Sequence, residues 1–301
     1  MSLPDSMHVL QRGWLSSNNI LFTGRERSAL VDSGYATHAP QTLDLVAHLL
    51  RGRRLDLLVN THLHSDHCGG NAALQAAYGC HTLIPQAEAR AVRDWDQDAL
   101  SYAATGQHCP RFGFDGTIAA GDRLVLGELE WQVLGAPGHD PHSVILHCPA
   151  ERLLISADAL WENGFGVIFP ELEGESGFAE ARATLELIAG LDLRLVIPGH
   201  GAPFADAAGA LERALRRLDY LAADPARNAQ NGIKVLVKFR LLERRRVALA
   251  ELRQWMRDVP LLVKSNRQHL QMDPDALADW TAAQLVKAGA AVIEDGMLVD
   301  R

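Results

Sequence analysis

The stretch Thr61-His62-Leu63-His64-Ser65-Asp66-His67 is the most informative part of the chain, because it places three histidines and an aspartate within six consecutive positions. Imidazole and carboxylate groups together suit zinc, iron, manganese and similar divalent ions. A helical metal motif spaces two histidines at i and i+4, whereas His62 and His64 are two residues apart. This spacing predicts an extended loop with His62 and His64 on one side and the Asp66-His67 pair on another. We therefore expect two neighbouring metal ions.

The residues on either side of this stretch place it between a strand and a helix. Residues 55–60 form a short apolar run that ends in polar residues, which is typical of a buried strand. Gly69, Gly70 and Asn71 follow, and residues 72–78 are rich in alanine and leucine. The metal ligands are therefore predicted at the end of a strand.

Bulk composition indicates a globular protein. The 301 residues are 48% hydrophobic and 22% charged, and they suffice for one large domain or two ordinary ones. No apolar run reaches the roughly 18 residues of a membrane helix, so no membrane partner is expected. The N-terminus lacks a basic start followed by an apolar core, and the four cysteines form no Cys-x-x-Cys pair. These features favour a cytoplasmic protein without a disulfide scaffold.

The chain divides into two parts near residue 205. Residues 1–205 contain 13 basic and 24 acidic residues and read as many short strands with helices between them, which predicts a layered α/β domain. Residues 206–301 contain 16 basic and 13 acidic residues and read as four helices, over residues 206–221, 233–242, 248–259 and 275–288. An Asp295-Gly296 turn between apolar runs predicts a final hairpin. Helices followed by a hairpin indicate a winged-helix-like domain.

Three further polar positions stand at the ends of predicted strands. Pro137-Gly138-His139, Ser156-Ala157-Asp158 and Pro198-Gly199-His200 each follow such a strand. Glycine before a histidine lets the backbone approach an ion closely. These positions supply the additional ligands that a two-metal site needs.

The order His-x-His-x-Asp-His, Gly-His, Asp, Gly-His, with His139, Asp158 and His200 at its later positions, resembles the metallo-β-lactamase-fold hydrolases. Asp32, which ends a strand before Ser33-Gly34, looks like that family's early structural aspartate. The resemblance covers about the first 205 residues. It implies a four-layer αββα sandwich with the metal ions at one edge of the paired sheets.

The resemblance also implies a ligand set and a reaction. His62, His64 and His139 would bind the first ion, Asp66, His67 and His200 the second, and Asp158 would bridge both. A hydroxide between the ions would be the nucleophile, since metal binding lowers the pKa of water to roughly 7. Asp66 would also orient the nucleophile or carry its proton. Zinc is the default ion, and iron or manganese would also suit a site without cysteine.

Local motifs resemble glyoxalase II, the hydroxyacylglutathione hydrolase, most closely. Gly69-Gly70-Asn71 and residues 158–166 are similar to its sequence. However, Val167 and Phe169 stand where that family has a basic residue and a tyrosine for glutathione, which predicts weak binding of that anionic tripeptide. We therefore expect hydrolysis of a small ester, thioester or lactone, with substrate contacts on residues 95–114 and 161–175.

Two other functions fit the tail. A metallo-β-lactamase domain followed by a winged-helix-like tail is similar to the β-lactamase-like protein 2 group, some members of which act on single-stranded RNA. The basic run over residues 234–246 could attract phosphates, which keeps a ribonuclease or phosphodiesterase as an alternative. A weakly catalytic metal-bearing sensor is the other. Phe239 is the one aromatic residue in the run, so a lid or a homodimer contact is the preferred role.

Overall fold

A computed structural model describes residues 3–301 and contains two facing sheets. The strands of the first sheet lie side by side in chain order: β1 (Met7–Leu10), β2 (Asn19–Thr23), β3 (Ser28–Val31), β4 (Leu57–Val59), β5 (His81–Pro85) and β6 (Gly116–Ile118). The second sheet contains β7 (Arg123–Leu126), β8 (Leu129–Gly135), β9 (Val144–Cys148), β10 (Leu153–Ala157) and β11 (Leu195–Pro198). Its strands also pair in sequence order, and β10 and β11 are parallel.

The helices of the first two-thirds of the chain are mostly short. They are α1 (Ala39–Leu50), α2 (Ser65–Cys68), α3 (Asn71–Tyr78), α4 (Ala89–Asp94), α5 (Tyr102–Thr105), α6 (Phe169–Glu173) and α7 (Phe178–Ala189), with 3₁₀ turns at Ala36–His38 and Gln86–Glu88. Among residues 3–301, no helix is both long and apolar enough to cross a lipid bilayer.

Alternation along the strands creates the layers. In the first sheet Ile20 and Phe22 point to the core between the sheets, while Leu21 between them packs against Val46 of α1. In the second sheet Leu153 and Ile155 point to the same inner core. Leu154 and Val196 instead pack against α7, through Leu185 and Ile188. Because successive side chains of a strand alternate in direction, each sheet buries both faces. The predicted αββα sandwich is therefore confirmed.

The rest of the chain continues from this sandwich. It contains α8 (Ala207–Ala222), α9 (Pro225–Arg244), β12 (Arg246–Ala248), α10 (Leu249–Asp258), α11 (Pro260–Ser265), a π turn (Asn266–Leu270), α12 (Pro274–Lys287), β13 (Ala291–Glu294) and β14 (Met297–Asp300). The apolar stripe of α8 packs against the second sheet's outer face. Apolar residues from α9 onward form another cluster, which also contains Val167 and Leu172. The expected helices and hairpin are present, and the boundary near residue 205 stays a prediction.

One helix of this region is longer than expected. Residues 233–242 were predicted as helical, but α9 begins at Pro225. The carboxylate of Asp224 accepts a hydrogen bond from the Ala226 N–H at 3.0 Å, and proline is tolerated at the first helical position because its missing N–H has no partner there. The Asp224-Pro225 pair thus ends one helix and starts the next.

Candidate metal centre

The His62–His67 stretch divides at its middle. His62 and His64 follow β4 in non-helical conformation, and residues 65–68 form the single-turn helix α2 with His64 at its N-cap. The sequence predicts an extended loop over the whole stretch. That prediction is wrong for residues 65–68, which are helical. The turn nevertheless separates His62 and His64 from Asp66 and His67, as the spacing indicated.

The first group of donors contains three histidines. One ring nitrogen from each of His62, His64 and His139 lies within 4.8 Å of the others. His139 reaches this position from the loop after β8, and its Nε2 lies 2.7 Å from Nδ1 of His64. His62 and His139 are buried and His64 is partly buried. Three neighbouring imidazoles of this kind can hold one divalent ion.

The second group contains Asp66, His67, Asp158 and His200, again with donor atoms within 4.8 Å. His200 follows β11, and its Nε2 lies 3.0 Å from Oδ2 of Asp66. Asp158 follows β10 directly. The structure therefore brings all seven predicted ligand residues together at one edge of the paired sheets.

Asp158 lies between the two groups. Its Oδ2 is 3.4 Å from Nε2 of His139 in the first group. Its Oδ1 is 3.3 Å from Nε2 of His67 in the second group. One carboxylate oxygen thus faces each group, which is the arrangement that a bridging ligand requires.

Unpartnered nitrogens test whether this donor set fits metal ions. Nε2 of His62 and Nε2 of His67 are buried and accept no hydrogen bond. The opposite nitrogen of His67 donates to Oδ2 of Asp32 at 2.8 Å, and that of His139 donates to the Val167 carbonyl at 2.6 Å. These bonds leave the Nε2 lone pairs directed at the donor groups. A buried polar atom without a partner is costly, so the residues fit bound ions.

Asp32 supports the second donor group through hydrogen bonds. It is buried and accepts hydrogen bonds from the Thr61 N–H at 2.9 Å and the Thr61 hydroxyl at 2.8 Å, besides the bond from His67. Its φ is 58°, a left-handed conformation that aspartate tolerates better than most residues. The position matches the structural aspartate implied by the sequence resemblance.

Glycines let the ligand loops approach one another. A Cβ on Gly166 would overlap the His139 ring, and one on Gly199 would overlap Oδ1 of Asp158. Gly138 has a φ of 143°, which only glycine adopts readily, and a Cβ there would lie 2.7 Å from Ala181. The predicted close approach at Gly138 and Gly199 is present, although it is to protein atoms.

The charges of the site favour the protonation states that ligands need. Burial would raise the pKa of Asp158, but His67 and His200 hold it well below its ordinary value. Burial and the neighbouring His64 lower the pKa of His139 to about 4. Burial also opposes protonation of His67, but the carboxylates of Asp158, Asp32 and Asp66 raise its pKa well above the usual range. A bound cation would take the place of that proton.

A small cavity of about 110 Å³ opens beside the donors. It is lined in part by the expected loops, through Thr105, Gln107, Trp161, Phe165, Gly166, Val167 and Phe169. Trp14 was not predicted to line the cavity. The other wall residues belong to the tail, for which a lid was expected without naming residues: Arg217 of α8, and Asn231, Val235, Leu236 and Phe239 of α9.

Trp14 is a prominent member of that wall. Its indole stacks on the His200 ring at 5.4 Å with an angle of 6° between the planes, and contacts Trp161 edge-on at 5.3 Å. The side chain is nevertheless 56% exposed. In the sequence, the only indication of this role is that Trp14 lies in a polar loop that contains glycine.

The basic run of residues 234–246 is partly engaged within the protein. Lys238 pairs with Asp300 at 2.5 Å, and so does Arg245. Arg240 pairs with Glu243 at 3.1 Å. Phe239 packs edge-on against Tyr35, 5.1 Å between ring centres, instead of projecting outward. These contacts engage three of the six cations of the run.

Comparison with known proteins identifies the family. The family model described as the metallo-beta-lactamase superfamily matches residues 12–200. A hydroxyacylglutathione hydrolase from Rhizobium etli is 30% identical over 135 residues, which are 44% of this chain and 45% of that protein. One from Rhodospirillum rubrum is 30% identical over 120 residues, 40% of this chain and 38% of that protein. The chain thus spans less than half the length of these curated relatives.

Solved structures share the fold. A metallo-beta-lactamase family protein from Thermus thermophilus aligns over 100% of both chains with a TM-score of 0.60 and 18% identity. The B3 metallo-beta-lactamase BLEG-1 aligns over 68% of this chain and 96% of its own, with a TM-score of 0.58 and 20% identity. Together with the family model, which covers more than half of the sequence, these matches show that the chain belongs to the metallo-beta-lactamase superfamily.

Proposed function

We propose that the protein is a two-metal hydrolase of small esters, thioesters or lactones. The observation that carries the proposal is the position of Asp158, whose two oxygens face two separate donor groups 3.4 and 3.3 Å away. When bound, a pair of divalent ions activates water near neutral pH and polarises the carbonyl that is attacked. Zinc is the first ion to test, and iron and manganese follow.

The protein's own residues would position the reactants. His62, His64 and His139 would hold one ion, and Asp66, His67 and His200 the other. Asp66 is only 13% exposed at its side chain and contacts His200, so it can accept a proton from the attacking water and pass it on. The cavity of about 110 Å³ suits a small acyl group.

Glutathione is not the thiol that this cavity favours. Val167 is buried, and both Val167 and Phe169 present apolar surface to the cavity. The curated relatives are named hydroxyacylglutathione hydrolases. This similarity supports hydrolysis of a thioester, but it supports glutathione as the thiol less strongly. A nucleic acid substrate is not proposed, because Lys238, Arg240 and Arg245 are paired with carboxylates.

Metal-reconstituted protein tested against S-acyl, ester, lactone and phosphodiester substrates checks the proposal. We expect turnover of acyl substrates and about two ions per chain by elemental analysis, in keeping with the two donor groups. Asp66→Ala should lower kcat roughly 100-fold or more, and Asp158→Ala should lower metal content as well.

Asp192→Ala is the matched control, since Asp192 is an exposed partner of Arg152 outside the site. Its metal content and rate should equal those of the unaltered protein. Well under one ion per chain after reconstitution would contradict the proposal. Turnover confined to the phosphodiester would replace it with the phosphodiesterase alternative. Inert, metal-loaded protein would favour the sensor.

A further inference from the structure

A second, larger cleft adjoins the cavity at the metal centre. It has a volume of about 650 Å³. Trp14, Trp161, Val235 and Phe239 line both spaces and mark the boundary between them. Leu242 and Leu285 extend the apolar wall outward. A ligand with its reacting group at the donors would reach the cleft along these four side chains.

Three cations lie along this path without a carboxylate partner. Arg217 lines the inner cavity, and Lys234 and Lys287 line the outer cleft. Within residues 3–301, none of these three side chains has a carboxylate within 4.0 Å, unlike Lys238, which lines the same cleft and is paired with Asp300.

Arg217 and Lys234 are linked through Asn231. Nη2 of Arg217 donates a hydrogen bond to Oδ1 of Asn231 at 3.1 Å, and its guanidinium lies 5.9 Å from the centre of the Phe165 ring. Asn231 and Lys234 are three residues apart on α9, so their side chains share one face of the helix. Burial and the charge of Arg217 both lower the pKa of Lys234. Two neighbouring cations without a counter-charge favour an anion between them.

We propose that Arg217 and Lys234 bind an anionic group of the substrate, a carboxylate or a phosphate, while its apolar segment lies along Trp14, Trp161, Val235 and Phe239. The substrate is then an amphiphilic anion. This inference rests on the proposed function only in taking the cavity as the substrate site. It also explains how an anionic substrate is recognised without a cation at Val167.

Inert ligands test the proposal apart from catalysis. The probes are 3-(hexylthio)propanoate, hexyl phosphate and the neutral 3-(hexylthio)propanamide, with each Kd measured by calorimetry. We expect either or both anions to bind about tenfold more tightly than the amide, the ratio for one charge-assisted hydrogen bond at a partly exposed site. The two anions distinguish a carboxylate from a phosphate site.

Variants assign the preference to these residues. Arg217→Gln and Lys234→Gln should each bring the anion-to-amide ratio close to one. Arg216→Gln is the matched control, because Arg216 is adjacent in sequence, exposed, paired with Glu212 and absent from both linings. It should retain the full ratio. Circular dichroism melting checks that each variant is folded.

Titrations before and after chelation separate this site from the metal centre, since a carboxylate can also bind metal directly. The preference for the anion should persist in chelated protein. Three results would overturn the proposal: no preference in the unaltered protein, a preference retained in both variants, or one that disappears with the metal. Absence of hydrolysis in the acyl panel, with the preference intact, would refute the proposed function and leave this site standing.

Discussion

Asp32 illustrates how one residue outside the ligand set can determine metal affinity. It accepts a hydrogen bond from the Nδ1–H of His67, which orients the ring so that Nε2 faces Asp158 in the second donor group. Aspartate is also compatible with the left-handed backbone at this position. Substitutions at Asp32 can therefore test the effect of its carboxylate charge separately from the effect of its left-handed backbone conformation.

Asp32→Asn should weaken zinc binding about 10- to 100-fold, the usual effect of losing a ligand's carboxylate partner. Asparagine keeps the left-handed conformation but cannot accept the His67 proton as a charged acceptor. Asp32→Ala should add a loss of thermal stability, because alanine disfavours that conformation. Competition with a chromophoric chelator measures the affinity. Equal affinity in Asp32→Asn and the unaltered protein would show that His67 needs no anionic partner.

The candidate ligands could be predicted from the sequence, and so could the part of the cavity wall on residues 95–114 and 161–175, whereas Trp14 and Arg217 could not. Each ligand belongs to a local signal, such as a histidine after a glycine at the end of a strand. Trp14 and Arg217 carry no such signal. They reach the site because the chain is folded back over it, and contacts between distant segments leave no local pattern.

At the scale of elements, the loops that carry the candidate ligands approach one another at glycines, where no side chain stands between them. Gly166 lies against the ring of His139, close enough that any Cβ would overlap it. The loop that follows Asp158 and the loop that follows β8 therefore meet at a glycine. Packing at this contact determines where His139 points.

Gly166→Ala should displace His139 and lower metal content towards one ion per chain, because the added methyl must move the ring or the loop. Gly113→Ala is the matched control, since a Cβ at Gly113 meets nothing within 4 Å. Elemental analysis of both variants gives the result. Two ions per chain in Gly166→Ala would mean that the loop relaxes without disturbing the ligand.

Element boundaries show where sequence patterns are insufficient. The strand predicted over residues 55–60 is present as β4, since burial on both faces of a sheet leaves a continuous apolar run. The conformation of residues 65–68 was not predicted, because a single helical turn is too short to have a period. The predicted helix over residues 233–242 omits the first eight residues of α9, although the proline at position 225 suits a helix start.

For the whole molecule, seven clustered donors make the stability of the folded state dependent on metal. Ions that bind the folded chain alone stabilise it by about 2.7 kcal/mol at 100 times Kd. Chelation should therefore lower Tm by several degrees, since roughly 1 kcal/mol corresponds to a few degrees in a domain of this size. Scanning calorimetry with and without chelator measures this. The shift should shrink in Asp158→Ala, and an equal shift there would indicate a metal site elsewhere.

Because α9 lines the cavity, we expect acyl-chain selectivity to depend on the later part of the chain as well as on the part that carries the candidate metal ligands. Phe239→Ala removes a ring from the wall, so longer acyl chains should fit. The ratio of kcat/KM for hexanoyl over acetyl thioesters should rise roughly fivefold or more, as expected when a pocket gains room for methylenes. Val263→Ala, at an exposed apolar residue of α11 outside the cavity, should leave the ratio unchanged. An unchanged ratio in Phe239→Ala would mean that the acyl group lies elsewhere.

The position of α9 in the cavity wall has a consequence for how proteins of this family diverge. Residues 12–200 carry every metal ligand and are the part that the family model matches, while Asn231, Val235, Leu236 and Phe239 lie beyond them. We therefore expect the reaction to depend on residues 12–200, and substrate selectivity to depend also on the later segment, which shares the cavity wall with Trp14, Trp161 and Phe169. We expect that exchange of the later segment alone can change the substrate while the catalytic site stays the same. Sequence similarity across residues 12–200 therefore predicts the type of reaction better than the identity of the substrate.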